Sequence, residues 1–251
     1  MSDKFTAFAK LHVPGNPLVL FNVWDAGSAA AVERAGAKAL ATGSWSVAAA
    51  QGCHDAEGLP LDLALANAAR IAAATALPVS IDFEGGYATD PMQCAANVAA
   101  LAATGAIGCN FEDQVIGTAS RTLHPLSDQV ARISAVRRAV GSDFFLNART
   151  DIFLGAPGDA HDAAMVDAAI ERALAYADAG ASGLFVPGLV DLKLLEKVCS
   201  GSPLPVNFMA FNGAPGAAQV AQAGVARIRH GPGPYRLAMK ALTEAARVAL
   251  G

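Results

Sequence analysis

The chain has 251 residues, of which 53% are hydrophobic and only 16% are charged, and its formal net charge at neutral pH is −4. This composition, without a low-complexity segment or a long linker, predicts a single enzyme-sized domain over residues 1–251. Because the lysines and arginines are dispersed and the net charge is negative, we expect neither nucleic acid nor an anionic membrane surface as a partner.

Targeting segments and cysteine spacing indicate where the protein is located. No apolar run approaches the roughly 20 residues of a membrane-spanning helix, and residues 1–10 have the pattern of neither a signal nor a transit peptide. Cys53, Cys94, Cys109 and Cys199 form no Cys-x-x-Cys pair, so a disulfide framework or structural zinc is not expected. We therefore predict a cytoplasmic protein with reduced thiols.

Strand-like and helical patterns alternate along the whole chain. Eight apolar runs are predicted as strands, at 18–23, 39–42, 78–81, 108–111, 144–147, 183–186, 205–209 and 226–228. Helical spacing is clear at 62–75, 93–104, 128–140, 159–179 and 235–250. Eight strand–helix units in a chain of this length fit a closed barrel better than an open sheet, so we predict a (β/α)8 TIM barrel.

Carboxylates follow two of these strands directly, in the segments Ile81-Asp82-Phe83-Glu84 and Asn110-Phe111-Glu112-Asp113. The loops after the strands of such a barrel lie on one face. On that ground we expect six polar side chains to converge there: Asp82, Glu84, Glu112, Asp113, Arg149 and Asn207. A cluster of acids at this face indicates a cation site, whereas either segment alone would fit an ordinary salt bridge or helix cap.

Five motifs, in order, carry a resemblance to a known family. They are WDAGSAAAVERAGAKALATGSWS, GCHDAEG, IDFEGGYA, NFEDQ and NARTD. In this order they resemble the isocitrate lyase and phosphoenolpyruvate mutase superfamily, from about residue 22 to about residue 188.

The resemblance implies a site for Mg²⁺, which Mn²⁺ could replace, with Asp82 as the direct ligand and Glu84 and Glu112 as further metal-site acids. It also implies that Asp55 belongs to the acidic shell around the substrate and that the Ser44-Trp45 turn holds the substrate carboxylate. Arg149 resembles the substrate arginine of the family and is a catalytic candidate. The alternative for Arg149 is a salt bridge to Asp151 or Glu112.

The segment after Glu112 departs from the characterised branches. The lyases carry a Lys-Lys/Arg-Cys-Gly-His loop and the phosphonate branch a gating loop with Lys and Asn, but no Cys, Lys or Asn occurs between Glu112 and Pro125. Two residues remain as candidates in this predicted lid: Arg121 to close over an anionic substrate, and His124 to move a proton. The alternative for His124 is a turn residue at a helix entrance.

Two later residues complete the candidate site. His230 follows the eighth strand and is a second proton-transfer candidate, because an imidazole titrates near neutral pH; its alternative is a packing role. Asn207 offers an amide to a substrate carboxylate or hydroxyl, and its alternative is to satisfy buried backbone groups.

These residues favour a Mg²⁺-dependent lyase that cleaves a carbon–carbon bond of a small 2-oxo or 2-hydroxy dicarboxylate through an enolate. Decarboxylation of an oxaloacetate-like acid needs the fewest missing groups. One alternative is a carbon–phosphorus hydrolase or mutase acting on phosphonopyruvate, and another is a non-catalytic barrel that binds carboxylates. The resemblance also implies a homo-oligomer, a dimer or tetramer, in which the last helix is exchanged between subunits, whereas otherwise that helix would cap its own barrel.

Overall fold

Eight strands form the centre of the computed structural model, which describes residues 3–117 and 122–251. Arg121, predicted to close over the substrate, lies outside the described residues. The strands are β1 (Leu18–Leu20), β2 (Leu40–Ala41), β3 (Val79–Asp82), β4 (Gly108–Glu112), β5 (Phe145–Arg149), β6 (Gly183–Phe185), β7 (Val206–Met209) and β8 (Arg227–Arg229). Every predicted strand is present.

All strands run parallel, in the order β1-β8-β7-β6-β5-β4-β3-β2. A parallel bridge between Val23 and Thr42 brings the two ends of this sheet together, with the Val23 N–H donating to the Ala41 carbonyl over 2.9 Å. This arrangement, with helices between the strands, confirms the predicted (β/α)8 TIM barrel.

Helices surround the strands, and several begin where a side chain caps them. They are α1 (Asp3–Lys10), α2 (Ala26–Arg34), α3 (Ser44–Ala50), α4 (Leu61–Ala73), α5 (Pro91–Ala103), α6 (Leu126–Val140), α7 (Ala163–Asp178), α8 (Leu192–Gly201), α9 (Ala217–Gln222) and α10 (Gly233–Leu250). The predicted helix at 159–179 starts later, because Asp162 caps α7 by accepting from the Met165 N–H. A short 3-10 turn, Gly158–Ala160, precedes it.

One end of the barrel is closed by apolar packing. Helix α1 places Phe8, which is fully buried, against a cluster of inward side chains: Leu18, Leu20, Ala39, Ala41, Ile107 and Phe145. Such packing excludes water from the amino-terminal end of the strands. Buried polar side chains instead occupy the other half of the barrel, where Asn110, Asn147 and Glu112 all face inward. The carboxyl-terminal end is therefore the end that can hold a site.

No helix in the described ranges is both long enough and apolar enough to cross a bilayer. The last helix, α10, is instead amphipathic and mostly exposed. Among its residues only Pro234 is buried, and Tyr235 packs edge-on against Trp24 and Trp45 at centroid distances of 5.1 and 5.9 Å.

Candidate active site

Two loops at the carboxyl-terminal end of the barrel hold unusual backbone conformations. Four non-glycine residues in the described chain have positive φ, and all four lie here: Ala56 (65°), Glu57 (59°), Glu84 (50°) and Tyr87 (58°). Such conformations cost energy and persist where surrounding contacts fix them, commonly at functional sites. The contacts are visible, since the Glu84 carboxylate accepts from the Glu57 N–H and the Glu57 carboxylate from the Tyr87 N–H, each over 2.8 Å.

Asp82 ends β3 and is the most strongly held acid of the site. Its Oδ1 accepts from the Asn110 amide over 3.1 Å, and its Oδ2 accepts from the Ser44 N–H over 3.3 Å and from Arg229 over 3.1 Å. Burial alone would raise the pKa of this carboxyl, but Arg229 and then Arg149 outweigh burial and lower it. Asp82 is therefore ionised at neutral pH.

The neighbouring acids repel one another. Burial, and after it the Asp55 carboxylate, raises the pKa of Glu84 to about 8, with Asp82 and Glu57 adding to the effect. Asp55 lies in an exposed loop that reaches the pocket, and partial burial followed by Asp82 raises its pKa too. Carboxylates gathered in this way favour a cation among them.

Arg149, at the end of β5, is already paired with protein acids. Its Nη1 lies 2.6 Å from Glu112 Oε2, while its Nε and Nη2 donate to the two Asp151 oxygens over 2.5 and 2.7 Å. These carboxylates raise the pKa of Arg149 well above its usual value, although burial opposes them. Burial also raises the pKa of Glu112 well above normal, with Arg149 acting against it. The salt-bridge alternative for Arg149 is what the structure shows, and a substrate role stays a prediction.

Asp55, Asp82 and Arg149 meet at a pocket that opens to solvent. The pocket is lined by Gly43, Ser44, Trp45, Asp55, Asp82, Arg149, Leu154, Phe185, Pro187, Met209, Arg229, Gly231 and Pro232. Five of the predicted site residues thus line one pocket: Ser44, Trp45, Asp55, Asp82 and Arg149. A second, smaller cavity on the other side of Asp82 is bordered by Glu84 and Tyr87.

Asp113 does not join the other acids. Side chains alternate along a strand, so the inward position of Glu112 turns Asp113 outward. There its carboxylate accepts from the Asp151 N–H, from Arg172 and from the Tyr176 hydroxyl, over 3.0, 3.1 and 2.8 Å. The predicted convergence was wrong for this residue, which ties β4 to α7.

The two histidines are not among the residues that line the pocket. Because Arg229 faces the inside of the barrel, the next residue, His230, faces outward. Its ring packs against Phe21, and its Nδ1 lies 3.3 Å from the Leu20 carbonyl oxygen. His124 is buried before α6, and its backbone is held by Asp113 and Arg172. For both residues the geometry matches the structural alternative rather than proton transfer.

Asn207 faces the barrel interior below the pocket. It is 1% exposed, and neither atom of its amide has a hydrogen-bond partner in the described part of the chain. It therefore does not satisfy loop backbone there, and its proposed contact with substrate stays a prediction.

Sequence reasoning missed Arg229 and Glu57. Arg229, in β8, lines the pocket and donates through Nη2 to Asp82 and to the Thr42 carbonyl. The alternation Arg227-Ile228-Arg229 was the available signal, because two arginines at a spacing of two share the inward face of a strand. Glu57 gave no comparable signal, since its role depends on a positive-φ loop.

The donors present fit a magnesium ion. In residues 3–117 and 122–251 no three acids, histidines or cysteines are arranged to enclose a metal, and Mg²⁺ commonly takes only one or two carboxylates while keeping several waters. Asp82 is the ionised carboxylate at the pocket. Asp55 raises the pKa of Glu84, Asp82 raises that of Asp55, and Glu112 is held by Arg149. This set suits one direct ligand with the other acids acting through water.

Comparison with known proteins identifies a family and relatives that match most of the chain. The sequence profile of the family "Phosphoenolpyruvate phosphomutase" matches residues 8–250. An uncharacterised protein of Mycobacterium tuberculosis is 34% identical over 96% of this chain and 88% of its own length. The 2-methylisocitrate lyase of Escherichia coli K12 is 30% identical over 82% of this chain and 73% of that protein.

Among solved structures, a Burkholderia cenocepacia J2315 protein described provisionally as a phosphonomutase superposes with a TM-score of 0.94. It is 48% identical, and the match covers 98% of both chains. The shared barrel, the motifs at the strand ends and these matches agree with one another. The chain belongs to the phosphoenolpyruvate phosphomutase family, within the isocitrate lyase and phosphoenolpyruvate mutase superfamily of lyases and mutases.

Proposed function

We propose that the protein is a Mg²⁺-dependent lyase that cleaves a carbon–carbon bond of a small 2-oxo or 2-hydroxy dicarboxylate. The observation that carries the proposal is the ionised Asp82 at the wall of a pocket that also holds Ser44, Asp55 and Arg149. A bound Mg²⁺ would stabilise negative charge developing on a carbonyl oxygen of the substrate. Similarity to 2-methylisocitrate lyase supports this class of reaction.

The protein's own residues would bind and orient the acid. Ser44, the first residue of α3, donates its backbone N–H to Asp82 over 3.3 Å at the edge of the pocket. Trp45 and Phe185 provide apolar walls that limit the access of water. Arg149 holds Glu112 and Asp151 in place. These contacts give a preorganised cleft for a small carboxylate.

Decarboxylation of an oxaloacetate-like acid is the favoured version. The bond to the distal carboxylate breaks, carbon dioxide leaves with that carbon, and the electron pair stays on the remaining fragment as an enolate. A proton from water then completes the 2-oxo acid. These reaction steps need no base from the protein, which agrees with the absence of His124 and His230 from the residues that line the pocket. Retro-aldol cleavage would need a base to take the hydroxyl proton.

A second candidate is carbon–phosphorus chemistry on phosphonopyruvate. Similarity to the Burkholderia cenocepacia protein supports it, while the missing Lys and Asn after Glu112 disfavour it. A third is a carboxylate-binding barrel without turnover. The cytoplasmic location inferred from sequence likewise stays a prediction.

The test is proton and phosphorus NMR of the purified protein with Mg²⁺ and separate acids: oxaloacetate, a methylated 2-hydroxy tricarboxylate, 2,3-dimethylmalate and phosphonopyruvate. We expect pyruvate or another 2-oxo acid from an organic acid, at a rate above a protein-free control, because oxaloacetate also decarboxylates unaided. Addition of EDTA should return the rate to that control. Products from phosphonopyruvate alone would replace the carbon–carbon reaction, and binding without product would favour the non-catalytic barrel.

A further inference from the structure

Arg229 and Arg149 both border the pocket, but they differ in what they can still bind. Every nitrogen of Arg149 already donates to a carboxylate of Glu112 or Asp151. The carboxylates of Glu112 and Asp151 already offset the positive charge of the Arg149 guanidinium, so little charge is left to attract a third carboxylate. Arg149 is therefore poorly suited to receive a substrate anion unless it gives up these pairs.

Arg229 has unused donors. Its Nη2 donates to the Thr42 carbonyl and to Asp82, whereas its Nε and Nη1 are buried and have no hydrogen-bond partner within the described ranges. The side chain is only 2% exposed. A buried charged donor without an acceptor is costly, so this guanidinium gains more than Arg149 does from an anion that enters the pocket.

Arg229 lines the open pocket, where an aromatic ring and loop residues surround it. Its Cζ lies 5.3 Å from the centre of the Phe185 ring, and the Arg149 Cζ lies 5.8 Å from the same ring. The wall beside Arg229 includes the loop residues Gly231 and Pro232. An acid entering between this wall and Asp82 would meet Arg229 beside the metal-site carboxylate.

From this geometry we infer that Arg229 is the residue that binds an anionic group of the substrate, and that it makes the site selective for acids with two anionic groups over monocarboxylates. The inference rests on the proposed function, because it deepens the description of the same pocket. The free Nε and Nη1 would donate to the anion, while Nη2 keeps its contacts with Asp82 and the Thr42 carbonyl.

The test measures binding rather than turnover. Mn²⁺ binding is followed by electron paramagnetic resonance, and ligand binding by the fluorescence of the two tryptophans, of which Trp45 lines the pocket. The ligands are oxalate and malonate, each with two carboxylates, and acetate with one. Wild type, Arg229→Gln and Arg229→Lys are compared with Arg138→Gln, which changes an exposed arginine of α6.

We expect Arg229→Gln to weaken the binding of the dicarboxylates by about tenfold to a hundredfold, because a charge-assisted hydrogen bond is lost. Acetate binding should change little, and Mn²⁺ binding should be kept or tightened because a competing cation at Asp82 is gone. Arg229→Lys keeps the charge but not the planar guanidinium, so its dicarboxylate affinity should fall between those of wild type and Arg229→Gln. Arg138→Gln should match wild type. Should Arg229→Gln fail to fold, the lysine variant carries the same comparison.

Unchanged dicarboxylate binding in Arg229→Gln, or an equal loss for acetate, would overturn the inference. Loss of Mn²⁺ binding would also overturn it, because Arg229 would then act by holding Asp82. A wild-type protein that binds dicarboxylates through Arg229 but turns over no acid would instead remove the proposed reaction and leave this inference intact.

Discussion

Burial sets the charge of His12, a residue at the closed end of the barrel. Its ring stacks on Phe145 with centroids 4.3 Å apart, and its Nδ1 lies 2.9 Å from the Phe8 carbonyl oxygen. Burial first, and the nearby Arg227 second, lowers the pKa of His12 from 6.5 to about 3. The imidazole is therefore neutral in the folded protein across the pH range in which a free histidine takes up a proton.

This depressed pKa has a consequence for stability. Between pH 6.5 and about 3 the unfolded chain binds a proton at His12 that the folded protein does not, so stability falls as pH falls through this window. From pH 7 to pH 5 we expect wild type to lose on the order of 1 to 2 kcal/mol more unfolding free energy than His12→Phe. Urea unfolding at both pH values measures the difference, with Lys10→Gln as a control at the same end of α1. Equal losses in wild type and His12→Phe would contradict the assignment.

Individual site residues differ in how far sequence could predict them. Ser44, Asp55, Asp82 and Arg149 were placed by motif and by strand ends, and the structure brings all four to one pocket. His230 was misplaced because the β8 register decides which of two adjacent residues faces inward, and apolar patterning in a strand of three residues does not fix that register. Sequence likewise could not show that Arg149 is fully paired with carboxylates while Arg229 keeps unpaired donors, because this depends on ion pairs inside the barrel.

Helix α10 has an apolar side that the described residues of the barrel leave largely exposed. Leu237, Leu242 and Val248 are 62 to 87% exposed. The barrel meanwhile exposes Val19 and Phe21 beside a groove that Leu237 also lines. We propose that copies of the chain associate by exchanging α10, because both surfaces then lose exposed apolar area.

Light scattering during size-exclusion chromatography tests this exchange. We expect a mass that is a multiple of the 25.4 kDa chain, and a shift toward monomer for the double variant Leu237→Glu, Leu242→Glu, because burying two carboxylates at an apolar contact is unfavourable. Thr243→Glu, on the opposite side of the helix, should keep the wild-type mass. A monomeric wild type at micromolar concentration would remove the proposal.

Sequence predicted this helix but not its neighbour. The spacing of apolar residues over 235–250 identified an amphipathic helix close to the observed Gly233–Leu250. The spacing of apolar residues predicts that one side of the helix is covered, but not by what. A partner within the same chain and a partner in another subunit would both require the same spacing.

At the scale of the whole molecule, barrel closure creates the site. Ser44, Asp82, Arg149 and Arg229 come from four separate strand–helix units and meet because the parallel strands end on one face. Alternation of eight strands with helices made the convergence of Asp82 and Arg149 predictable, whereas Arg229 was not identified as part of it. The pairing of each charge within the cluster was not predictable, because it depends on side-chain directions and on distances below about 4 Å.

We propose that a cation held at Asp82 drives carbon–carbon cleavage in this pocket. The most direct measurement is the rate of 2-oxo acid formation from the acid that NMR identifies, at saturating Mg²⁺, for wild type, Asp82→Asn and Asp178→Asn, whose exposed carboxylate ends α7. Metal-assisted stabilisation of an enolate contributes several kcal/mol, so Asp82→Asn should lose at least about a hundredfold in kcat/KM, while Asp178→Asn stays at the wild-type rate. An Asp82→Asn protein that folds and keeps wild-type turnover would show that cleavage does not depend on a cation at Asp82.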